Sequence, residues 1–162
     1  VANINGHISS LININLGIDL ELSGYENLKT RAAILGIKES QFQDYVQYVE
    51  ELTSLQDYLY LPMRAYSSGM QMRLSFAAAT FLKPDILIMD EWLSTGDLVF
   101  SKFANKRLNE IISKSNTLVI TSHNLELLSK LCTRIVWLDA GKIIADGDPL
   151  PVIKNYQKSS NI

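Results

Sequence analysis

Cysteine is almost absent: Cys132 stands alone among 162 residues, which excludes an internal disulfide and a thiolate metal cluster and fits a reducing compartment. A dominant charge is missing too. Fifteen Lys and Arg against seventeen Asp and Glu leave a formal −2, so no bulk field draws in nucleic acid or an anionic membrane, and any polyanion site must be local. The longest apolar stretches, Phe76 to Leu82 and Ile86 to Met89, fall far short of the roughly 18–20 residues that span a bilayer. Val1 to His7 has no basic start, no apolar run and no initiator Met, so no signal peptide is visible and the numbered sequence is expected to begin inside a longer product. No repeat or low-complexity tract interrupts the chain. What remains, 47% apolar and 20% charged residues, is the balance of a globular domain of ordinary size.

The opening alternates apolar Ile8, Ile12, Ile14 and Leu16 with polar Ser9, Asn13 and Asn15, which predicts a strand over 8–16. Ser23 and Glu26 have capping-box spacing before a helix from Gly24 to Leu35, stopped by Gly36. A second helix opens at Ser40, with Phe42, Tyr45, Val46, Val49 and Leu52 as its inner stripe, and Pro62 ends that pattern. A third helix starts at Ser67 and must stop near Lys83-Pro84. Ile86 to Met89 is wholly apolar, as in a strand buried on both faces. Phe100, Ala104, Leu108 and Ile111 face the core from the next helix, Thr117 to Thr121 is another strand, and Asn124 to Leu131 is helical. Arg134 to Leu138 and Lys142 to Ala145 flank Asp139-Ala140-Gly141 as a hairpin. Asp146 to Pro149 makes a turn before a last helix. Strands alternating with helices define an α/β domain.

Three places carry chemistry. Asp90 and Glu91 follow an apolar strand, where open α/β sheets bind ligands. One carboxylate there can hold Mg²⁺ through water and the other can take a proton from an attacking water. Taken alone, the pair reads equally well as a strand-end cap. Tyr66-Ser67-Ser68-Gly69-Met70 opens a helix with small polar residues, a phosphate cradle in principle and an ordinary N-cap if it stood alone. His123 follows the strand ending at Thr121; a lone His is more often structural. Their order, with Ser94-Thr95-Gly96-Asp97 between, is worth more than each part.

That order resembles the nucleotide-binding subunit of ATP-binding cassette (ABC) transporters over about residues 9–156. On this resemblance Tyr66 to Met70 is the signature loop, Asp90 the Walker B aspartate, Glu91 the catalytic base, Asp97 the D-loop aspartate and His123 the switch histidine. Tyr66 to Met70 with Arg73, Glu91 to Asp97 with Phe100, and Leu22 to Asn27 resemble the branch that exports O-antigen, capsule or teichoic acid chains. The sequence departs from the family in three ways. No G-x-x-x-x-G-K-S/T occurs, so the loop wrapping the β and γ phosphates is missing. Ser68 and Met70 stand where most signatures carry Gly and Gln, and Asn13 is nearest in register to the coupling glutamine.

The resemblance implies an α/β, P-loop NTPase-like fold without its N-terminal portion, residues 1–158, with a helical subdomain over about 24–83 and a short tail, 159–162. It implies an ATPase acting as a head-to-tail dimer on the cytoplasmic face of the membrane, beside an integral-membrane permease that moves a lipid-linked glycan. ATP and Mg²⁺ are the implied cofactors: Asp90 serves the metal, Glu91 and His123 the catalysis, and Ser67, Ser68, Gly69, Met70 and Asp97 the partner subunit's nucleotide. The stretch Gly24 to Leu61 is the implied docking face for the permease. Nucleic acid is not an implied partner, because a chromosome-maintenance head would need heptad arms and none are present. Without the phosphate loop the chain by itself is expected not to hydrolyse ATP. The alternative is a truncated or degenerate interaction module, which retention of Asp90, Glu91 and His123 together argues against.

Overall fold

The computed structural model describes residues 4–91 and 98–159. Its elements are β1 (Ile8–Ser10), α1 (Gly24–Leu35), α2 (Glu39–Thr53), α3 (Ser68–Ala79), β2 (Ile86–Asp90), α4 (Leu98–Lys114), β3 (Thr117–Thr121), α5 (Leu125–Leu131), β4 (Ile135–Asp139), β5 (Lys142–Gly147) and α6 (Pro149–Ser159). Two 3₁₀ turns, Gln56–Tyr60 and Met63–Ala65, join α2 to α3. The strands form a three-stranded sheet in the order β1-β2-β3, with β1 and β2 parallel, and a separate β4-β5 pair. By contacts the chain divides into two compact units, Val1–Met89 with Leu93–Val119 and Asp90–Trp92 with Ile120–Ile162.

The first unit is built on α1, α2 and α3. Ser23 caps α1 with the reciprocal bonds of a capping box, its hydroxyl accepting from the Glu26 N–H and the Glu26 carboxylate accepting from the Ser23 N–H. At the other end Gly36 adopts φ 69°, a left-handed turn that costs glycine nothing and lets Ile37 N–H reach back to the Ala32 carbonyl. Tyr45, Val46 and Val49 of α2 are buried with Phe42 and Leu52 packed at the margin, as the periodicity requires. They meet Leu28 and Ala32 of α1 and Leu74, Ala77 and Ala78 of α3. Complete burial of a side chain such as Leu28, Leu59 or Leu74 contributes about 1.5–3 kcal/mol each. The helix α3 stops at Thr80, earlier than Lys83-Pro84 requires. In α4 the expected face is buried throughout: Phe100, Ala104, Leu108 and Ile111.

The first strand is shorter than its alternation predicts, ending at Ser10 instead of Leu16. Burial over 8–16 also departs from the alternation, with Ile8, Ile12 and Leu16 exposed and Ser9 and Leu11 buried, while Ile14 is buried as expected. Asparagine explains the break. The Asn13 side chain accepts from the Asn15 N–H at 3.0 Å and its carbonyl accepts from the Leu16 N–H at 3.2 Å, turn bonds that Asn favours over a strand ladder. In β2, Leu87 and Met89 are buried while Ile86 and Ile88 are half-buried.

The second unit holds α5, α6 and the antiparallel hairpin. Ala140 and Gly141 both have positive φ, 44° and 77°, as a two-residue turn with the twist of its strands demands. Arg134 grips Asp146 with two bonds, of 2.7 and 2.6 Å. Trp137 meets the Tyr156 ring edge-on at 5.5 Å, a packing role and not a ligand platform. Cys132 is half-buried, and burial pushes its thiol above the usual range.

Candidate functional site

In the second unit the chain leaves β2 through Asp90 and Glu91 and leaves β3 through Thr121, Ser122 and His123. Glu91 N–H donates to the Thr121 carbonyl at 2.9 Å. That bond accompanies a left-handed backbone at Glu91, φ 64°, which in a non-glycine residue costs about 1–3 kcal/mol and persists only where the surroundings hold it. The surroundings are polar. The Glu91 carboxylate accepts from the His123 N–H at 3.1 Å through one oxygen and from the Ser122 hydroxyl at 3.2 Å through the other. The His123 ring stands 3.9 Å from Glu91 Oε1, with 95% of its side chain exposed, so this contact adds little to stability. Its value lies in putting an imidazole and a carboxylate at one mouth.

Asp90 Oδ1 accepts from the Thr121 hydroxyl, which orients the carboxylate. One oriented, exposed carboxylate suits Mg²⁺, a hard cation that keeps its waters and takes most remaining oxygens from substrate phosphates. No group of three or more His, Cys, Asp or Glu able to hold a metal ion occurs among the described residues.

The first unit carries the second candidate cluster. Ser67 is the N-cap of α3, with its hydroxyl accepting from Met70 N–H at 3.2 Å. Capping uses the oxygen's lone pair and leaves the hydroxyl proton free to donate. Tyr66 anchors the loop, buried and donating from its hydroxyl to the Tyr58 carbonyl. Burial pushes its phenol above the ordinary range. Gly24 makes that possible, because a Cβ there would stand 2.4 Å from the Tyr66 hydroxyl. Gln71 holds the preceding turn, donating to the Met63 carbonyl at 3.2 Å. Ser67 and Ser68 are exposed, and Gly69 and Met70 half-buried. The helix thus begins with small side chains and N–H groups at the surface, an arrangement that accepts phosphate oxygens.

Of the residues singled out in the sequence, Asp90, Glu91 and His123 come together in one unit, and Ser67 to Met70 form a cluster in the other. Asp97 lies outside the described residues. Thr121, Ser122 and Tyr58 were not anticipated. The first two had a signal, since hydroxyls at the end of one strand of a sheet can stand beside whatever ends the neighbouring strand.

One unit thus carries a strand-end acidic pair beside a histidine, and the other a serine-capped helix entered by a small-residue loop, both on α/β elements. The model of the ABC transporter family matches residues 4–94, more than half of the chain, and the chain belongs to that family. It is 36% identical over 158 residues to the teichoic acids export ATP-binding protein TagH of Shouchella clausii, covering 98% of this chain and 44% of that protein. To the O-antigen export system ATP-binding protein RfbE of Yersinia enterocolitica it is 42% identical over 138 residues, 85% of this chain and 58% of that one. The chain therefore spans about half the length of the curated relatives it matches. A solved structure of the ATP-binding subunit of an ABC transporter superposes with a TM-score of 0.67 at 22% identity, covering 94% of this chain and 62% of the other, which shows the fold. Among the described residues no helix is long and apolar enough to cross a membrane.

Proposed function

We propose that this sequence belongs to the ATP-hydrolysing subunit of an exporter of cell-surface polysaccharide, of the kind named by its teichoic acid and O-antigen relatives. The observation that carries the reading is Glu91, held in a left-handed backbone with its carboxylate between Ser122 and the His123 N–H, next to the strand-end Asp90. On this reading a water attacks the γ-phosphorus of ATP, the bond to the β-bridging oxygen breaks, and Glu91 takes the proton of the water. His123 donates to the γ-phosphate, and Asp90 would hold Mg²⁺ through water, where the ion would supply neutralisation of phosphate charge. The barrier falls by positioning and electrostatics, as phosphoryl transfer requires.

The phosphate loop would come from polypeptide outside these 162 residues. Ser67, Ser68, Gly69 and Met70 would meet the nucleotide of a second subunit in a head-to-tail dimer, and Asp97 would lie at the same junction. The subunit would act at the cytoplasmic face of the membrane, with a permease docked on the helices between Gly24 and Leu61. The test is Glu91→Gln in the native protein that carries this sequence. ATP turnover should fall by about 10²–10⁴-fold, with thermal unfolding little changed. Unchanged turnover would remove Glu91 as the base, and absence of ATP turnover in the parent would favour a non-catalytic interaction module.

A further inference from the structure

Helix α3 has Ser67 to Met70 at one end and a set of outside bonds at the other. The Ala78 carbonyl accepts from the Tyr45 hydroxyl at 3.2 Å. The Thr80 carbonyl accepts from the Tyr48 hydroxyl at 3.1 Å and from Arg107 Nη2 at 2.8 Å. The tyrosines belong to α2 and the arginine to α4, so three helices meet at the last turn of α3. The Arg107 guanidinium also lies 5.2 Å from the Tyr48 ring centroid, with Nη1 3.3 Å from Glu110. Its side chain is only 15% exposed. Carbonyls at a helix C-terminus carry partial negative charge, and a cation there is favoured more as solvent is excluded. A charged donor also makes a stronger bond than a neutral one.

The helix α4 touches α3 a second time. The Phe100 ring is edge-on to Phe76 at 5.6 Å and 6.0 Å from the Arg73 guanidinium. Residues 73 and 76 pair with 100, and residue 80 pairs with 107, so α3 and α4 run in the same direction. Seven residues at about 1.5 Å each separate the two fixed points on α4 by about 10 Å. Two points that far apart set both the axial register and the tilt of one helix on the other.

We propose that Arg107 is a positioning residue for the phosphate-facing end of α3: by tying the Thr80 carbonyl to α4 and Tyr48 it fixes where Ser67 to Met70 stand. The inference rests on the reading of that end as the phosphate contact. Arg107 touches no reacting atom and acts through α3 alone.

The test compares Arg107→Ala, Arg107→Lys and Ile111→Val in the native protein that carries this sequence. Ile111 is buried on α4 and makes none of the bonds to the Thr80 carbonyl, so its variant controls for loss of stability. Arg107→Ala should lower turnover at saturating ATP by about tenfold while half-saturation shifts less than about twofold, the signature of lost transition-state positioning. Lysine, able to give one of the bonds, should recover part of the loss. Independently of activity, amide exchange over residues 70–73 should quicken by about tenfold in Arg107→Ala and not in Ile111→Val. Turnover and exchange no different from the Ile111 control, or Lys no better than Ala, would overturn the proposal. If Ser67→Ala and Gly69→Val leave turnover intact while exchange still responds to Arg107, the phosphate reading fails and the mechanical link stands.

Discussion

On the helices of the first unit the apolar side chains marked by periodicity are inside, whereas in the second unit nearly all apolar side chains are half-buried or exposed. Leu28, Leu59 and Leu74 are at most 1% exposed, while Leu138, Ile143 and Leu150 are 64% exposed or more. Among the described residues Val152 is the one buried apolar side chain of the second unit. Both units have well-formed elements, so pattern and element formation do not separate them. The difference is a covering layer. Three helices close around one another in the first unit, and each covers the stripe of the next. In the second, β4 and β5 satisfy their own backbone bonds as a hairpin, but a hairpin alone buries little. The candidate site inherits this contrast. Ser67 to Met70 sit on a helix locked by apolar packing, and Glu91 with His123 is held by polar bonds at a strained backbone.

The sharpest way to break that comparison is to delete equivalent apolar bulk from each unit. Phe76 has no exposure and packs on Phe100, so Phe76→Ala should cost about 3–5 kcal/mol in denaturant unfolding. Leu138→Ala, at a residue 65% exposed, should fall within about 0.5 kcal/mol. Equal losses would mean that the hairpin is covered in solution and the contrast is not a property of the protein.

A smaller effect tests whether polar bonds can do in the first unit what they do at Glu91. Asn27 is fully buried, and its amide both accepts from the Asp19 N–H at 2.7 Å and donates to the Asp19 carbonyl at 2.8 Å, with the Ser23 carbonyl at 3.0 Å. It pins the 19–23 loop onto α1 as a strand partner would. Asn27→Ala takes that partner from the Asp19 N–H and carbonyl, while the Ser23 carbonyl keeps the Asn27 N–H, and should cost about 1–3 kcal/mol. Thermal melts would read it, and a loss below that range would mean that water replaces the side chain freely.

Most of this architecture is legible in the sequence. Caps at Ser23 and Ser67, the left-handed stop at Gly36 and the four-residue stripe of α4 are local signals, and local physics decided them. The opening strand is shorter than alternation over 8–16 predicts because Asn13, counted there only as a polar position, has a side chain that takes the Asn15 N–H. The strand at 117–121 has the right span, yet its residues alternate between half-buried and exposed, since a run of apolar letters names no neighbour. Asp90, Glu91 and His123 could be placed at strand ends from order alone. The left-handed backbone of Glu91, and the hydroxyls of Thr121 and Ser122 that hold the two carboxylates, depend on which strands lie side by side. Arg107 has no signature in the sequence beyond being a charged residue on the helix that carries the buried Leu108.

The smallest effect sharpens the contrast from the side of the hairpin. Because apolar cover is thin there, an exposed ion pair is a larger share of what holds β4 to β5. Arg134, bound through both of its bonds to Asp146, holds that carboxyl below the usual aspartate range and is itself raised. A depressed carboxyl means that the unfolded chain binds the proton more readily. The pair's contribution is therefore complete above the ordinary aspartate value and is lost as the pH falls through the lower folded value. Arg134→Gln should accelerate amide exchange in residues 135–147 slightly at pH 7, and the gap to the parent should close as the pH is taken down through the aspartate range. Exchange over α2 and α3 should show no such convergence, because none of the core contacts there depends on that proton. A gap that stays constant with pH would assign the hold of Arg134 to packing of its stem instead of to its charge.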